Sequence, residues 1–201
     1  MSSARPYATL LAKGEDRKVR ILAAAQRLLT QNGWRNTSLA QIAKEAGVSA
    51  AGLLHHFESK EQLLHAVVDA RDADDDAHAD RAGDLFEQIA RAGARVDRAP
   101  ELVGTYSVLL LENLMPDAPL HDRLLARQRA AIDIVADLIR RGQASGKYRS
   151  DIDPALKAVQ IVSLVNGMEI SWLLDPSMPL QEALREYAKS LSQEFAPDAT
   201  S

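Results

Sequence analysis

Apolar residues recur along the 201-residue chain at three- and four-residue steps rather than at every second position, the spacing of helices with one face turned to a core. Alanine, leucine, arginine and glutamate dominate, and β-branched residues seldom alternate with polar ones, so helix is expected nearly throughout and no strand is predicted. The first helix is predicted from about Glu15 to Gln31, with Val19, Leu22, Ala23, Ala25, Leu28 and Leu29 as a wide apolar stripe. Asn32-Gly33 closes it, because glycine takes a left-handed cap at least cost. Ser38 and Gln41 then have the spacing of a capping box, and the helix they open ends at Ala46-Gly47. Ser49 is the predicted N-cap of the next helix, which closes near Phe57. Ser59 and Gln62 form a second capping box, opening a longer helix through Leu63, Leu64, Val67 and Val68. Two short helices joined by a tight turn containing glycine make a helix-turn-helix.

Beyond Ala70 the stretch RDADDDAHADRAGD is read as a solvated helix end or connection. Amphipathic helices are predicted at about 84–94, 100–115, 120–142, 153–174 and 179–195, with breaks where proline or glycine stops them. The expected fold is therefore all-α, divided into residues 1–60, which hold the helix-turn-helix, and a helical domain of residues 61–201. In the 153–174 helix, Leu156, Val159, Ile161, Val162, Leu164, Val165, Met168, Ile170, Leu173 and Leu174 are too many apolar residues for one face. A central helix of a monomer and a helix shared with a second subunit explain that pattern equally well.

The segment AGVSAAGLLHHF, Ala46 to Phe57, has unusual chemistry for a helix. Leu53 and Phe57 share one face and, with Ile42, Ala43 and Val48, can form a small core. Ala50, Ala51, Leu54 and His55 fall on the opposite face, so the first turn is almost bare of side chains. Gly52 costs roughly 1 kcal/mol of helix propensity relative to alanine, a loss that close approach to a partner would offset. The major groove of B-DNA, about 12 Å wide, admits such a helix. His55 can donate to a phosphate or a base, Leu54 can touch a thymine methyl, and Lys60, Ser38 and Ser49 can meet phosphates. His56 is read as packed between helices.

Charge sharpens this picture. The net charge is −4, yet residues 1–60 carry nine Lys and Arg against four Asp and Glu, while the remaining 141 carry fifteen against twenty-four. A basic head meeting double-stranded DNA, followed by an acidic body, fits that distribution. Cysteine is absent, which rules out a disulfide or a thiolate zinc site. No apolar run reaches the length of a membrane span, and MSSARPYATLLAKGEDRK lacks the apolar block of a secretory signal. A cytoplasmic protein without membrane attachment is expected.

The stretch TSLAQIAKEAGVSAAGLLHHFESKEQLL, Thr37 to Leu64, resembles the DNA-binding region of the TetR family of transcriptional regulators. The pattern runs through a T-[ST], an I-A, an A-G-V-S, an L-Y, an [HY]-F and a K-E. The resemblance implies that Ser38 and Ser49 start helices, that Ala50, Ala51, Gly52, Leu54 and His55 face bases or phosphates, and that Lys60 contacts phosphate. Members commonly have tyrosine where this chain has Leu54 and often glycine where it has Ala51, so the operator sequence does not carry over. DIDPALKAVQIVSLVNGMEISWLLDP, Asp151 to Pro176, is similar to a segment of the family's regulatory domain, which implies a C-terminal ligand-binding and dimerisation domain. A homodimer through the last two helices, a palindromic operator and release by a small-molecule effector follow as expectations, with repression as the expected sign. No enzyme activity and no cofactor are expected.

For the effector, polar groups that interrupt strongly apolar helices are the candidates, since ligand cavities are mostly apolar with a few placed polar groups. These are Tyr106, Leu109, Glu112 and Asn113 in ELVGTYSVLLLENLM, and Asn166 and Trp172 further on, with Glu169 as a similar interruption. The competing reading makes Asn113 and Asn166 hydrogen-bonded core residues and Glu112 solvated. An alternative function uses the acidic stretch: His65, Asp69, Asp72 and Asp76, with Asp80, fall at steps that let them share a helix face and hold a divalent metal for hydrolysis. A solvated helix end does not by itself enclose a metal.

Overall fold

In the computed structural model, which describes residues 4–78 and 84–197 and, apart from Asp97, their side chains from Asp16 onward, ten helices and no strand are found among the described residues. They are α1 (Ala4–Asn32), α2 (Leu39–Glu45), α3 (Ala50–His56), α4 (Lys60–His78) and α5 (Leu85–Ala92). The remainder are α6 (Ala94–Arg98), α7 (Pro100–Glu112), α8 (His121–Ala144), α9 (Pro154–Leu174) and α10 (Leu180–Glu194). The fold is all-α, as the periodicity predicts, and most limits fall within a few residues of the capping and breaking signals. Two differ. α1 begins at Ala4 rather than Glu15, with Pro6 in the first turn, where its missing N–H breaks no helix bond. The predicted 84–94 helix is divided at Gly93. A Cβ on Gly93 would stand 3.1 Å from the Gln181 Cα, so its small size lets the α5–α6 junction and α10 pass closely.

The chain forms two compact units that do not follow its linear order. The first comprises residues up to His78 together with Gly104–His121, so it takes in α1 to α4 and most of α7. Its core is built from Ile21, Ala24, Ala25 and Leu29 of α1, Ile42 and Ala43 of α2, Leu53 of α3, and Leu63, Leu64, Val67 and Val68 of α4. α1 ends as predicted: Gly33 has φ +74° and its N–H donates to the Leu29 carbonyl at 2.9 Å. The acidic stretch is helical through His78, but Arg71 within it is buried, pairing with Asp75 at 3.3 Å and lying 5.0 Å from the Tyr106 ring centroid. Asp80 lies outside the described residues.

The second unit holds α5, α6, the start of α7, and α8 to α10. Leu85, Ile89, Val96, Val103, Ile139, Ile161, Leu180, Leu184, Leu191 and Phe195 are buried together in its core. Phe86, Tyr148 and Phe195 stack edge to face or tilted, with centroids 5.2 to 5.6 Å apart. Within this unit Glu169, buried in α9, pairs with Arg95 of α6 at 2.8 Å.

Candidate nucleic-acid interface

The short helices α2 and α3 are too brief to stand alone, so caps and a shared core must hold them. Both caps are present. The Gln41 N–H donates to Ser38 Oγ at 3.2 Å and the Ser38 N–H to Gln41 Oε1 at 2.7 Å, the reciprocal pair of a capping box. Ser49 Oγ accepts from the Gly52 N–H at 3.0 Å. Between the helices Gly47 turns the chain with φ +65°, a conformation an L side chain rarely adopts. Leu53, Phe57, Ile42 and Ala43 are buried as predicted and anchor α3 to its neighbours, while Val48, the fifth residue of the predicted core, is only half-buried.

The opposite face of α3 is open: Ala50, Ala51, Leu54 and His55 are all exposed, and His56, half-buried, has its ring 5.6 Å from that of His55. A Cβ on Gly52 would stand 3.1 Å from the Ser49 hydroxyl that caps the helix, a contact of the kind Gln41 makes at the same position after Ser38. Ser38 and Ser49 are exposed at the starts of their helices. Arg27 is paired with Glu45 at 3.2 Å, whereas Arg20, Arg35 and Lys44 are exposed and engaged in no ion pair among the described residues. Lys60, at the first position of α4, is half-buried, and its ammonium donates to the Trp34 carbonyl at 2.5 Å. Burial lowers its pKa, and the nearby Glu61 and Glu112 carboxylates hold part of it up.

Two models of known families match this chain, one described as bacterial regulatory proteins of the tetR family over residues 21–67, the other as the C-terminal part of BetI-type transcriptional repressors over residues 107–195. The chain belongs to the TetR family. Among curated relatives of this TetR-family regulator is the HTH-type transcriptional regulator TtgR of Pseudomonas putida, 27% identical over 191 residues covering 82% of this chain and 83% of that one. UidR of Escherichia coli is 25% identical over 161 residues, 75% of this chain and 79% of that regulator. The fold matches NalD, a repressor of a multidrug efflux pump in Pseudomonas aeruginosa, with a TM-score of 0.73 at 19% identity over 92% of this chain and 99% of that one. It also matches SmeT in complex with triclosan, with a TM-score of 0.73 at 20% identity over 91% of this chain and 93% of that one. The family match establishes a helix-turn-helix transcriptional regulator.

The residues singled out for an effector are distributed over both units. Tyr106, Leu109, Glu112 and Asn113 belong to the first, Asn166 and Trp172 to the second. Tyr106 and Leu109 are buried, Tyr106 beside Arg71. Asn113 is occupied by the chain's own backbone: its amide donates to the Leu109 carbonyl at 2.7 Å and accepts from the Leu120 N–H at 3.1 Å, closing the turn between α7 and α8. The Glu112 carboxylate is likewise occupied, accepting from the Trp34 N–H at 2.6 Å. Asn166 donates to Gln128 Oε1 at 3.2 Å, and Trp172 packs half-buried against the second core. No three His, Asp or Glu residues converge to hold a metal among the described residues, and neither relatives nor fold support the hydrolase reading of His65, Asp69, Asp72 and Asp76. Sequence reading missed Arg71 and Trp34, whose partners lie far along the chain and leave no local signal.

Proposed function

We propose that this regulator is a cytoplasmic repressor that binds a palindromic operator as a homodimer and is released by a small molecule. The observation that carries the DNA-binding part is α3 itself, capped by Ser49, anchored by Leu53, and presenting Ala50, Ala51, Gly52, Leu54 and His55 with almost no bulk in its first turn. Each subunit would place this helix in a major groove, with the two half-sites separated by roughly 34–36 Å or a multiple. Ser38, Ser49 and Lys60 would hold backbone phosphates, which fix register without reading sequence. Among the described residues no helix is long and apolar enough to cross a membrane.

The dimer is proposed through α9 and α10. On α9, Leu156, Val159, Ile170 and Leu174 are exposed, with Ser163 and Gly167 between them, at the three- and four-residue steps of a helix-pairing seam. A shallow groove of about 560 Å³ runs beside it, lined by Gln160, Ser163, Leu164, Tyr187 and Leu191 among others. Effector binding would favour a dimer whose reading heads are wrongly spaced for the operator, so affinity falls by population shift. Within the first unit Tyr106 and Leu109 are the effector candidates, and within the second Asn166 and Trp172. By analogy with SmeT and its triclosan, the effector is taken to be small and largely apolar.

Selection of bound fragments from genomic DNA, followed by titration of the recovered duplex, tests the reading. Lys60→Ala is expected to weaken binding to every duplex and flatten the salt dependence by about one unit per subunit, whereas His55→Ala changes preference among sequences. Recovery of no enriched fragment, with affinity unmoved in both variants, overturns it. The chain has two tryptophans, so Trp34→Phe leaves Trp172 as the sole reporter for titration with triclosan as a first apolar probe. A saturable change in its emission, with loss of operator binding by the wild-type chain at the same triclosan concentrations, is the expected result.

A further inference from the structure

Trp34, in the turn between α1 and α2, is held at both of its backbone polar groups. Its N–H donates to Glu112 Oε2 at 2.6 Å, and its carbonyl accepts from Lys60 Nζ at 2.5 Å. The same ammonium lies 3.8 Å from the centroid of the Trp34 ring, within cation–π range. Glu112 is the last residue of α7 and Lys60 the first of α4, so three helices converge on this one residue. Gly33 makes the approach possible, because a Cβ there would stand 2.5 Å from Glu112 Oε1. A carboxylate accepting from a backbone N–H is among the stronger hydrogen bonds a protein makes.

A second clamp lies two turns earlier on α7. Thr105 Oγ1 is 2.8 Å from Thr30 Oγ1 and donates to the Gln26 carbonyl at 3.0 Å. Thr105 and Glu112 are seven residues apart, which places them on one side of the helix. α7 is thus fastened at two points, by Thr105 to α1 and by Glu112 to the turn that follows it.

We infer that Glu112 is a positioning residue for DNA binding: by holding the Trp34 N–H, it sets the carbonyl and indole ring against which Lys60 is placed. An ammonium has three donors, so one given to Trp34 leaves two for a backbone phosphate. A lysine head already set against Trp34 has given up rotamer freedom before the phosphate arrives, and its contact is tighter for that reason. The inference rests on the assignment of Lys60 to phosphate made above. It gives Glu112 a role on the DNA side of the molecule in place of contact with an effector.

The test is the salt dependence of binding of the full chain to a short mixed-sequence duplex, followed by fluorescence anisotropy, because such binding is governed by phosphate contacts. Lys60→Ala flattens the slope by about one unit per subunit. Glu112→Ala is expected to weaken binding several-fold and flatten the slope in the same direction. The double variant then binds no more weakly than Lys60→Ala alone, since the two changes remove one interaction. Glu112→Gln, whose amide oxygen still accepts from Trp34, recovers most of the loss. Wild-type behaviour of Glu112→Ala beside a weakened Lys60→Ala overturns the inference and leaves the Lys60 assignment standing. An unchanged Lys60→Ala removes both, and additive losses reduce Glu112 to a contributor to the fold, which also overturns it. Should Glu112→Ala not fold, Glu112→Asp, one methylene short of the Trp34 N–H, decides in its place: weakened binding supports the inference and wild-type binding refutes it.

Discussion

Leu53 is fully buried, and it is the one residue of α3 that is. A seven-residue helix does not persist in water by itself, so its place depends on that side chain, on Phe57 at its end and on the Ser49 cap. Leu53→Ala is expected to cost about 2–5 kcal/mol, the range for a buried leucine whose cavity only partly collapses. Urea denaturation followed by circular dichroism measures it. Gly142 makes the opposite case in the second unit: a Cβ there would fall 2.0 Å from the Tyr148 ring, which is itself buried against Phe86 and Phe195. Gly142→Ala is expected to destabilise by about 1–3 kcal/mol through overpacking. A thermal melt no lower than wild type would contradict this.

α5 shows how an element is started and how pH acts on it. Asp84 caps it, accepting from the Phe86 N–H at 2.8 Å, and also accepts from Lys147 at 2.5 Å. Burial alone would push the Asp84 carboxyl up, but hydrogen bonds from Lys147 and the Phe86 N–H, with the lysine's charge, bring it below the ordinary carboxylate value. A carboxyl whose pKa is lower in the folded than in the unfolded chain adds stability that is present above the unfolded value and lost as pH falls through the folded one. The wild type should therefore lose stability on acidification below about pH 4, and Asp84→Asn should lose less over the same window. Thermal melts between neutral and acid pH compare the two slopes. At neutral pH, Asp84→Ala is expected to cost about 1 kcal/mol, the usual value of an N-cap.

For the whole molecule the testable quantity is assembly. Leu174 is 88% exposed and Leu156 65%, so most of the surface of each is left uncovered by its own chain. Replacing both by glutamate should shift sedimentation from the proposed dimer to a monomer that keeps its helical circular dichroism. Operator affinity should fall with it, because a single head has half the contacts of a symmetric pair. A double variant that still sediments as a dimer would place the interface elsewhere.

Much of this molecule was legible along the chain, because the signals that set helix ends are local. Ser38 meets Gln41, Ser49 meets the Gly52 N–H, and Gly33 turns left-handed where the Asn-Gly pair stands. Each needs only neighbours within four residues, which any reading of the sequence contains. The bare outer face of α3 was visible for the same reason, since helical period alone separates Leu53 and Phe57 from Ala50, Ala51, Leu54 and His55.

What one-dimensional order determined is therefore the identity and limits of nearly every helix, the family, and the bare face of α3 that is proposed to meet DNA. Only the tertiary structure decided which distant polar groups meet. Glu112 reaches Trp34 across 78 positions and Arg95 reaches Glu169 across 74, and buried Arg71 lies beside Tyr106 despite its place in an acidic, seemingly solvated run. A buried polar group must find a partner, and the partner is whichever element the packing brings close. That choice is made by the summed burial of the helices rather than by any spacing along the chain, which is why Asn113 and Glu112 resembled ligand-facing groups until their backbone partners were in view.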